Sequence, residues 1–177
     1  WATFQGLPAA RQHLLLDRAL LDLLIQVGKD AKDPSSKYFG QYARAYAAIS
    51  TLFPAGLGYT DNSTGSGNGA AAKVATGKMN IASSLLETQK GGDINIIGPG
   101  GGITVGHSST DTLLPNQEGI LTLGGGSIRI FADDSVVTNQ SRIMTQQGGD
   151  VGLFVANGDI SAGSGPKTYA ASPAARE

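Results

Sequence analysis

Two stretches decide the reading: Gly125-Gly126-Ser127-Ile128-Arg129-Ile130-Phe131 and Gly148-Gly149-Asp150-Val151-Gly152-Leu153-Phe154. They are one pattern repeated at a displacement of 23, a glycine pair and a small polar residue followed by apolar side chains at alternate positions. The same displacement sets Ile120 on Ile143, Thr122 on Thr145 and Val137 on Ile160. A displacement of 34, which is 23 plus an insertion of 11, uncovers an earlier copy. In it Leu86, Thr88, Gly91-Gly92, Ile94, Ile96, Ile97 and Ile103 fall on Ile120, Thr122, Gly125-Gly126, Ile128, Ile130, Phe131 and Val137. The insertion lies between His107 and Gly119, and Met79-Asn80-Ile81 falls on Ile103-Thr104-Val105 at a shift of 24.

Alternation over three to five residues is the period of a β-strand, and strands this short do not pair stably alone. Stacked in parallel at about 4.8 Å per copy, equivalent residues lie above one another and each copy buries its apolar face against its neighbours. The expected fold is therefore mainly β, a right-handed parallel β-helix over 73–177 whose coil length equals the displacement of 23. Ile97, Phe131 and Phe154 are expected as one inward column, and Thr88, Thr122 and Thr145 as a polar ladder.

Upstream the period changes. From Ala9 to Val27 the residues Leu14, Leu15, Leu16, Ala19, Leu20, Leu23, Leu24 and Val27 form a wide helical face, with Pro8 at the first turn and Gly28 as the stop. A second helix is expected over Lys37 to Leu52, ended by Pro54, with Tyr42, Tyr46, Ile49 and Phe53 as its packing stripe. Residues 1–54 thus read as a helical hairpin packed on or inserted in the β-helix, and residues 55–72, rich in Gly, Ser and Asn, as a linker.

Composition agrees with a turn-rich repeat: 26 glycines, 15% charged residues and no cysteine, so neither disulfides nor thiolate metal sites are available. A net charge of -1 without a basic patch argues against nucleic acid as a partner. The longest apolar stretch, Leu14 to Val27, is interrupted by Asp17, Arg18 and Asp22 and does not suit a membrane span. No basic segment followed by an apolar core opens the chain at Trp1, so a signal peptide is not expected here, and the sequence reads as a piece of a longer protein.

No catalytic, cofactor-binding or metal-binding residue is assigned. Gly77-Lys78 fails as a phosphate loop, because Met79 stands where a magnesium-ligating hydroxyl is needed and Ala72 where the first glycine is needed. Gly98 to Gly102 recurs in register with the other turns. His13 and His107 are too few for a triad or a histidine metal site and read as solvent or packing residues. Asp93 and Asp150 hold equivalent repeat positions, which favours a turn role over acid and base work. Asp133-Asp134 has no acidic counterpart at Pro99-Gly100 or Ala156-Asn157, which argues against calcium, and Gly65-Ser66-Gly67 lies in linker composition.

Several blocks are recognisable together. Tyr46-Ala47-Ala48-Ile49-Ser50-Thr51-Leu52-Phe53-Pro54, Thr88-Gln89-Lys90-Gly91-Gly92-Asp93-Ile94-Asn95-Ile96, Asn139-Gln140-Ser141-Arg142-Ile143 and Asn157-Gly158-Asp159-Ile160-Ser161-Ala162-Gly163-Ser164-Gly165-Pro166-Lys167-Thr168 resemble a conserved domain of filamentous haemagglutinin-like exoproteins. The resemblance runs from about Leu7 to Thr168. It implies a secreted or cell-surface protein of a Gram-negative bacterium, exported by an outer-membrane two-partner-secretion transporter and acting as an adhesin shaft toward a host or neighbouring-cell receptor or glycan. It supplies no catalytic residues, so an enzyme is not expected. A stalk presenting a contact-dependent toxin is the first alternative and a polysaccharide-active β-helix enzyme the second. Bare ends of the repeat would favour self-association.

Overall fold

A computed structural model of the chain describes residues 2–63, 77–107 and 118–163. Three α-helices come first: α1 (Ala2–Gln5), α2 (Ala9–Lys32) and α3 (Ala43–Leu52), then a 3-10 turn at Ala55–Leu57. Ten short strands follow: β1 (Met79–Ile81), β2 (Leu85–Thr88), β3 (Ile94–Gly98), β4 (Ile103–Val105), β5 (Gly119–Thr122), β6 (Ile128–Ala132), β7 (Val136–Val137), β8 (Ile143–Thr145), β9 (Val151–Val155) and β10 (Ile160–Ser161). They form three parallel sheets, ordered β1-β4-β7-β10, β2-β5-β8 and β3-β6-β9. The chain thus visits the three sheets in rotation and completes three circuits, an arrangement compatible with a parallel β-helix.

Register follows the repeat residue for residue in the sheets β2-β5-β8 and β3-β6-β9, but in β1-β4-β7-β10 it slips by one: Val136, not the expected Val137, stands opposite Ile103 and Ile160, because the corner after β6 is one residue shorter than those after β3 and β9. Ile94, Ile128 and Val151 are aligned, as are Ile96, Ile130 and Leu153, and Ile97, Phe131 and Phe154. Thr88, Thr122 and Thr145 align in the second sheet, and Met79 pairs with Ile103 in the first. Each threonine hydroxyl donates to the carbonyl of the glycine four residues on, at 3.2 Å to Gly92, 2.9 Å to Gly126 and 3.1 Å to Gly149. The polar ladder therefore closes one corner of every circuit from within. At the same corner Asp93 accepts the Ser127 N–H, and Ser127 Oγ accepts the Asp150 N–H, so each small polar side chain fastens the circuit above it. That is the recurring turn role expected of Asp93, with Asp150 contributing its main chain.

Two apolar cores result. Inside the sheets lie Ile94, Ile96, Ile103, Val105, Ile120, Ile128, Ile130, Ala132 and Val136. The second core is outside them: Phe131, Phe154 and Ala156 pack with Leu20, Leu21, Leu24, Val27, Ala45, Tyr46 and Ile49, flanked by Ile97 and Phe53. The aromatic column expected to point inward is therefore in the expected register but on the opposite face. Ile128 and Ile130 already occupy the interior, so period two turns Phe131 outward, where the helices bury it completely. Phe53 stacks on Phe131 with ring centres 6.0 Å apart, Tyr46 meets Phe154 edge-on at 6.4 Å, and the Tyr46 hydroxyl donates to the Ala156 carbonyl at 2.9 Å. Of the packing stripe on α3, Tyr46 and Ile49 are buried, while Tyr42 stays exposed.

Other boundaries also shift. The first helix does not stop at Gly28 but continues to Lys32, where Asp33 takes over as the cap and its carboxylate accepts the Ser35 N–H and hydroxyl. α3 begins at Ala43 rather than Lys37, because residues 33–42 turn the chain and Gly40 there adopts φ +71°. The start of the expected linker is packed: Thr60 and Asn62 are buried, with Thr60 donating to Asp133 and Asn62 accepting from Asn157. The rest of that linker and most of the insertion between His107 and Gly119 lie outside the described residues.

Glycine is required where circuits touch. At Gly149, φ +91°, a Cβ would collide with the carbonyl of Gly126 in the circuit below, whereas at Gly148, φ +102°, it would meet nothing. Gly148→Ala is expected to lose about 1–2 kcal/mol from backbone strain alone. Gly149→Ala should lose more than about 3 kcal/mol or fail to fold, because the clash is main chain against main chain. Urea denaturation of the two variants checks this, and equal losses would contradict the stacking.

Candidate functional site

The face with the most chemistry is the outer surface of β3-β6-β9, where α2 crosses it. Outward strand positions alternate with inward ones, so Asn95, Arg129 and Gly152 are in register and face the helix side. Arg129 Nη1 is 2.7 Å and Arg18 Nη1 3.3 Å from Asp93 Oδ2. Arg129 Nε is 3.3 Å from Asp22 Oδ1, and Arg18 Nε is 3.5 Å from Asp22 Oδ2. The four groups close a ring of alternating charge with no net excess. Isolated exposed pairs add little stability, but a ring shares the cost of ordering each side chain and fixes the helix against two circuits at once. It is a clamp with no charge left over for a ligand.

The clamp sets the helix direction. Arg18 meets the first circuit at Asp93, Asp22 the second at Arg129, and Ile25 the third at Gly152, where a Cβ on the glycine would strike the isoleucine side chain. A helix climbs about 5.4 Å per turn, close to the roughly 4.8 Å between stacked parallel strands. One turn of α2 therefore matches one circuit, and the helix lies nearly along the stacking direction. Between its last turns and β9 a cleft of about 500 Å³ is lined by Ile25, Gly28, Lys29, Lys32, Val151 and Leu153 among others. A second cleft of about 390 Å³ lies beside the clamp, with Asp22, Lys29, Arg129 and Asp150 on its walls.

One grouping was not legible in the sequence. His107 Nδ1 is 2.8 Å from Glu118 Oε1, and the Ser83 hydroxyl lies beside the same ring. His107 is thus neither a plain solvent residue nor a packing one: it joins the two ends of the insertion and touches the corner of the preceding circuit. The set has the residue types of a hydrolytic triad but not its geometry. Ser83 Oγ is 2.6 Å from Nε2 and also 3.1 Å from Nδ1. An atom that near both nitrogens sits over the ring, off the lone-pair axis along which a proton would pass. Sequence separations of 24 and 11 gave no signal for it.

Asp133 is buried, its two carboxylate oxygens accepting from Thr60 at 2.7 Å and Asn157 at 2.9 Å, and so it secures the chain leaving α3 rather than presenting oxygens to a cation. No group of three or more His, Cys, Asp or Glu among the described residues could hold a metal ion. Among the same residues no helix is long and apolar enough to cross a membrane. Compared with protein-family models, curated proteins and solved structures, the chain matches none.

The Asp93 carboxyl is held below its ordinary value of 3.8 by the Ser127 N–H first, then by its bond to Arg129, with the charges of Arg129 and Arg18 adding to these and slight burial opposing them. A depressed acid stabilises the fold fully above its unfolded pKa and loses that contribution as pH falls through the folded one. The difference in melting temperature between the parent chain and Asp93→Asn should therefore be largest near pH 7 and shrink as pH falls from about 3.8. A pH-independent difference would mean that the charge of Asp93 contributes nothing.

Proposed function

We propose that this chain is a segment of a right-handed parallel β-helix in a large filamentous haemagglutinin-like exoprotein, serving as shaft or adhesive surface on a Gram-negative cell. One observation carries the reading. Three circuits stack strand on parallel strand in all three sheets, and among the described residues the strands at both ends keep an uncovered edge. Leu85 and Leu86 on β2, Val151 on β9 and Ile160 on β10 are the exposed apolar residues of those edges. A structure that buries its columns only by stacking is suited to extension, and right-handed crossovers are the strong rule for parallel strands. The sequence blocks quoted above supply the family, the export through an outer-membrane transporter and the surface location.

The same scaffold would serve as the stalk of a contact-dependent toxin. A polysaccharide-active enzyme is less favoured, because an extended sugar would need an open strand face bearing acidic groups. Here the outward row is Asn95, Arg129 and Gly152, and α2 roofs it. Antibody raised against the 177-residue chain should label intact cells of the source bacterium, and lose that labelling when the cognate outer-membrane transporter is deleted. Labelling only after permeabilisation would overturn the surface assignment, and release of reducing sugar from bacterial or host polysaccharide would favour the enzyme.

A further inference from the structure

We infer that the outer edge of β9, roofed by the last turns of α2, docks an extended acidic segment of a partner protein, which adds to the stack as one further strand. The inference rests on the β-helix reading and names the kind of partner that its last described coil fits.

The first support is a stripe of side chains. Arg18, Asp22, Ile25, Lys29 and Lys32 follow one another along α2 at spacings of 4, 3, 4 and 3, which keeps them on one face of the helix. Arg18 meets the first circuit at Asp93, Asp22 the second at Arg129, and Ile25 the third at Gly152. Lys29 lies one turn beyond Ile25, about 6 Å along the axis at 1.5 Å per residue. Parallel strands stack at about 4.8 Å, so Lys29 stands at the level of a strand beyond β9. In the first two circuits each charge on the helix meets the opposite charge on the strand. Lys29 and Lys32 are exposed and have no ion-pair partner among the described residues. The complement to this end of the stripe is a carboxylate.

The second support is main chain. Ile94 N–H donates to Ser127 and Ile128 N–H to Asp150, so the inward residues of each coil point their amides at the coil that follows. By the same alternation Val151, Leu153 and Val155 aim theirs into the cleft beneath the helix, with no described strand beyond. Leu153 and Val155 are only partly buried, and Val151 is exposed. A strand laid on this edge gains a ladder of main-chain bonds and sets alternate side chains over Leu153 and Val155. Its other side chains face Lys29 and Lys32. The sequence that fits therefore alternates apolar and acidic residues.

The chain's own sequence does not supply such a strand. A further displacement of 23 sets Pro166 on Ile143, Ala171-Ser172 on Gly148-Gly149 and Arg176 on Leu153, and the only acidic side chain from 164 to 177 is Glu177. A second copy stacked in register does not fit either. Each copy carries an α2 of 24 residues, about 36 Å long, on the same face, whereas three coils rise only about 14 Å. The two helices would occupy the same space. A separate extended segment brings no helix and enters freely.

The test titrates the whole chain with an end-blocked synthetic peptide of alternating Val and Glu, using one of alternating Val and Lys as the control, and follows the amides by NMR. The acidic peptide should shift the Leu153 and Val155 amides and slow their exchange at least about 10-fold at saturation. Lys29→Glu combined with Lys32→Glu changes two exposed residues and should leave the melting temperature within about 3 °C. It should weaken the acidic peptide at least about 10-fold and make the basic peptide the tighter of the two. Equal binding of both peptides to the parent chain, or no binding of the acidic one, would overturn the proposal. So would Leu153 and Val155 amides already protected in the free chain: protection that rises with protein concentration would assign the edge to a second copy, and protection independent of it to the chain itself. All of these results leave the β-helix reading in place. Fast exchange of the Ile128 amide, whose bond to Asp150 belongs to the stack, would overturn that reading and the docking edge with it.

Discussion

No circuit of this fold can satisfy its own main chain. Every strand hydrogen bond runs to the circuit above or below, so the structure exists only as a stack, and the stack tolerates nothing that holds successive corners apart. That constraint explains the glycine pairs, whose Cβ atoms would strike the neighbouring main chain at Gly126 and Gly149. It also explains why the corner side chains bond along the stack, Asp93 to the Ser127 N–H and Ser127 to the Asp150 N–H, and why Thr88, Thr122 and Thr145 close their own turns. Corners that fasten themselves leave the interior free for aliphatic columns alone.

Aliphatic side chains fill the interior, and the alternation of the strands turns the aromatics outward. Phe131 has no exposed surface although it lies outside the coil, a burial worth about 2–3 kcal/mol that α2 and α3 provide. The near-equality of helix pitch and strand spacing lets a single straight helix make one contact per circuit, charge to charge at Asp93 and Arg129 and bulk to glycine at Gly152. The helical hairpin is thus a lengthwise splint. The outer face of β3-β6-β9 is thereby covered by α2 and ties the helix to all three circuits.

Much of the sheet region was legible because identity of spacing is a direct image of stacking. Sequence shifts of 23, 34 and 24 reproduce the strand partners of β2-β5-β8, β3-β6-β9 and β1-β4, and miss by one residue at β7, where the shorter corner after β6 puts Val136 rather than Val137 opposite Ile103 and Ile160. The face of the Ile97, Phe131 and Phe154 column was not legible, since Ile130 and Phe131 are adjacent and both apolar. Period two separates two faces without saying which is interior when both are covered. Gly28 misled because glycine commonly ends helices, whereas α2 runs through it to Lys32. The juxtaposition of His107, Glu118 and Ser83 depends on where two loops leave the stack, which no spacing records.

The central claim is that the aliphatic residues fill the stack while the aromatic column lies outside it beneath the hairpin. A nuclear Overhauser spectrum of methyl- and ring-labelled protein tests both halves at once. It should connect the Phe131 ring with the rings of Phe53 and Phe154 and the methyls of Ile94 with those of Ile128, without cross-peaks from the Phe131 ring to Ile103 or Ile120. Strong cross-peaks from Phe131 to Ile103 and Ile120, with none to Phe53, would place the aromatic column inside and contradict the account.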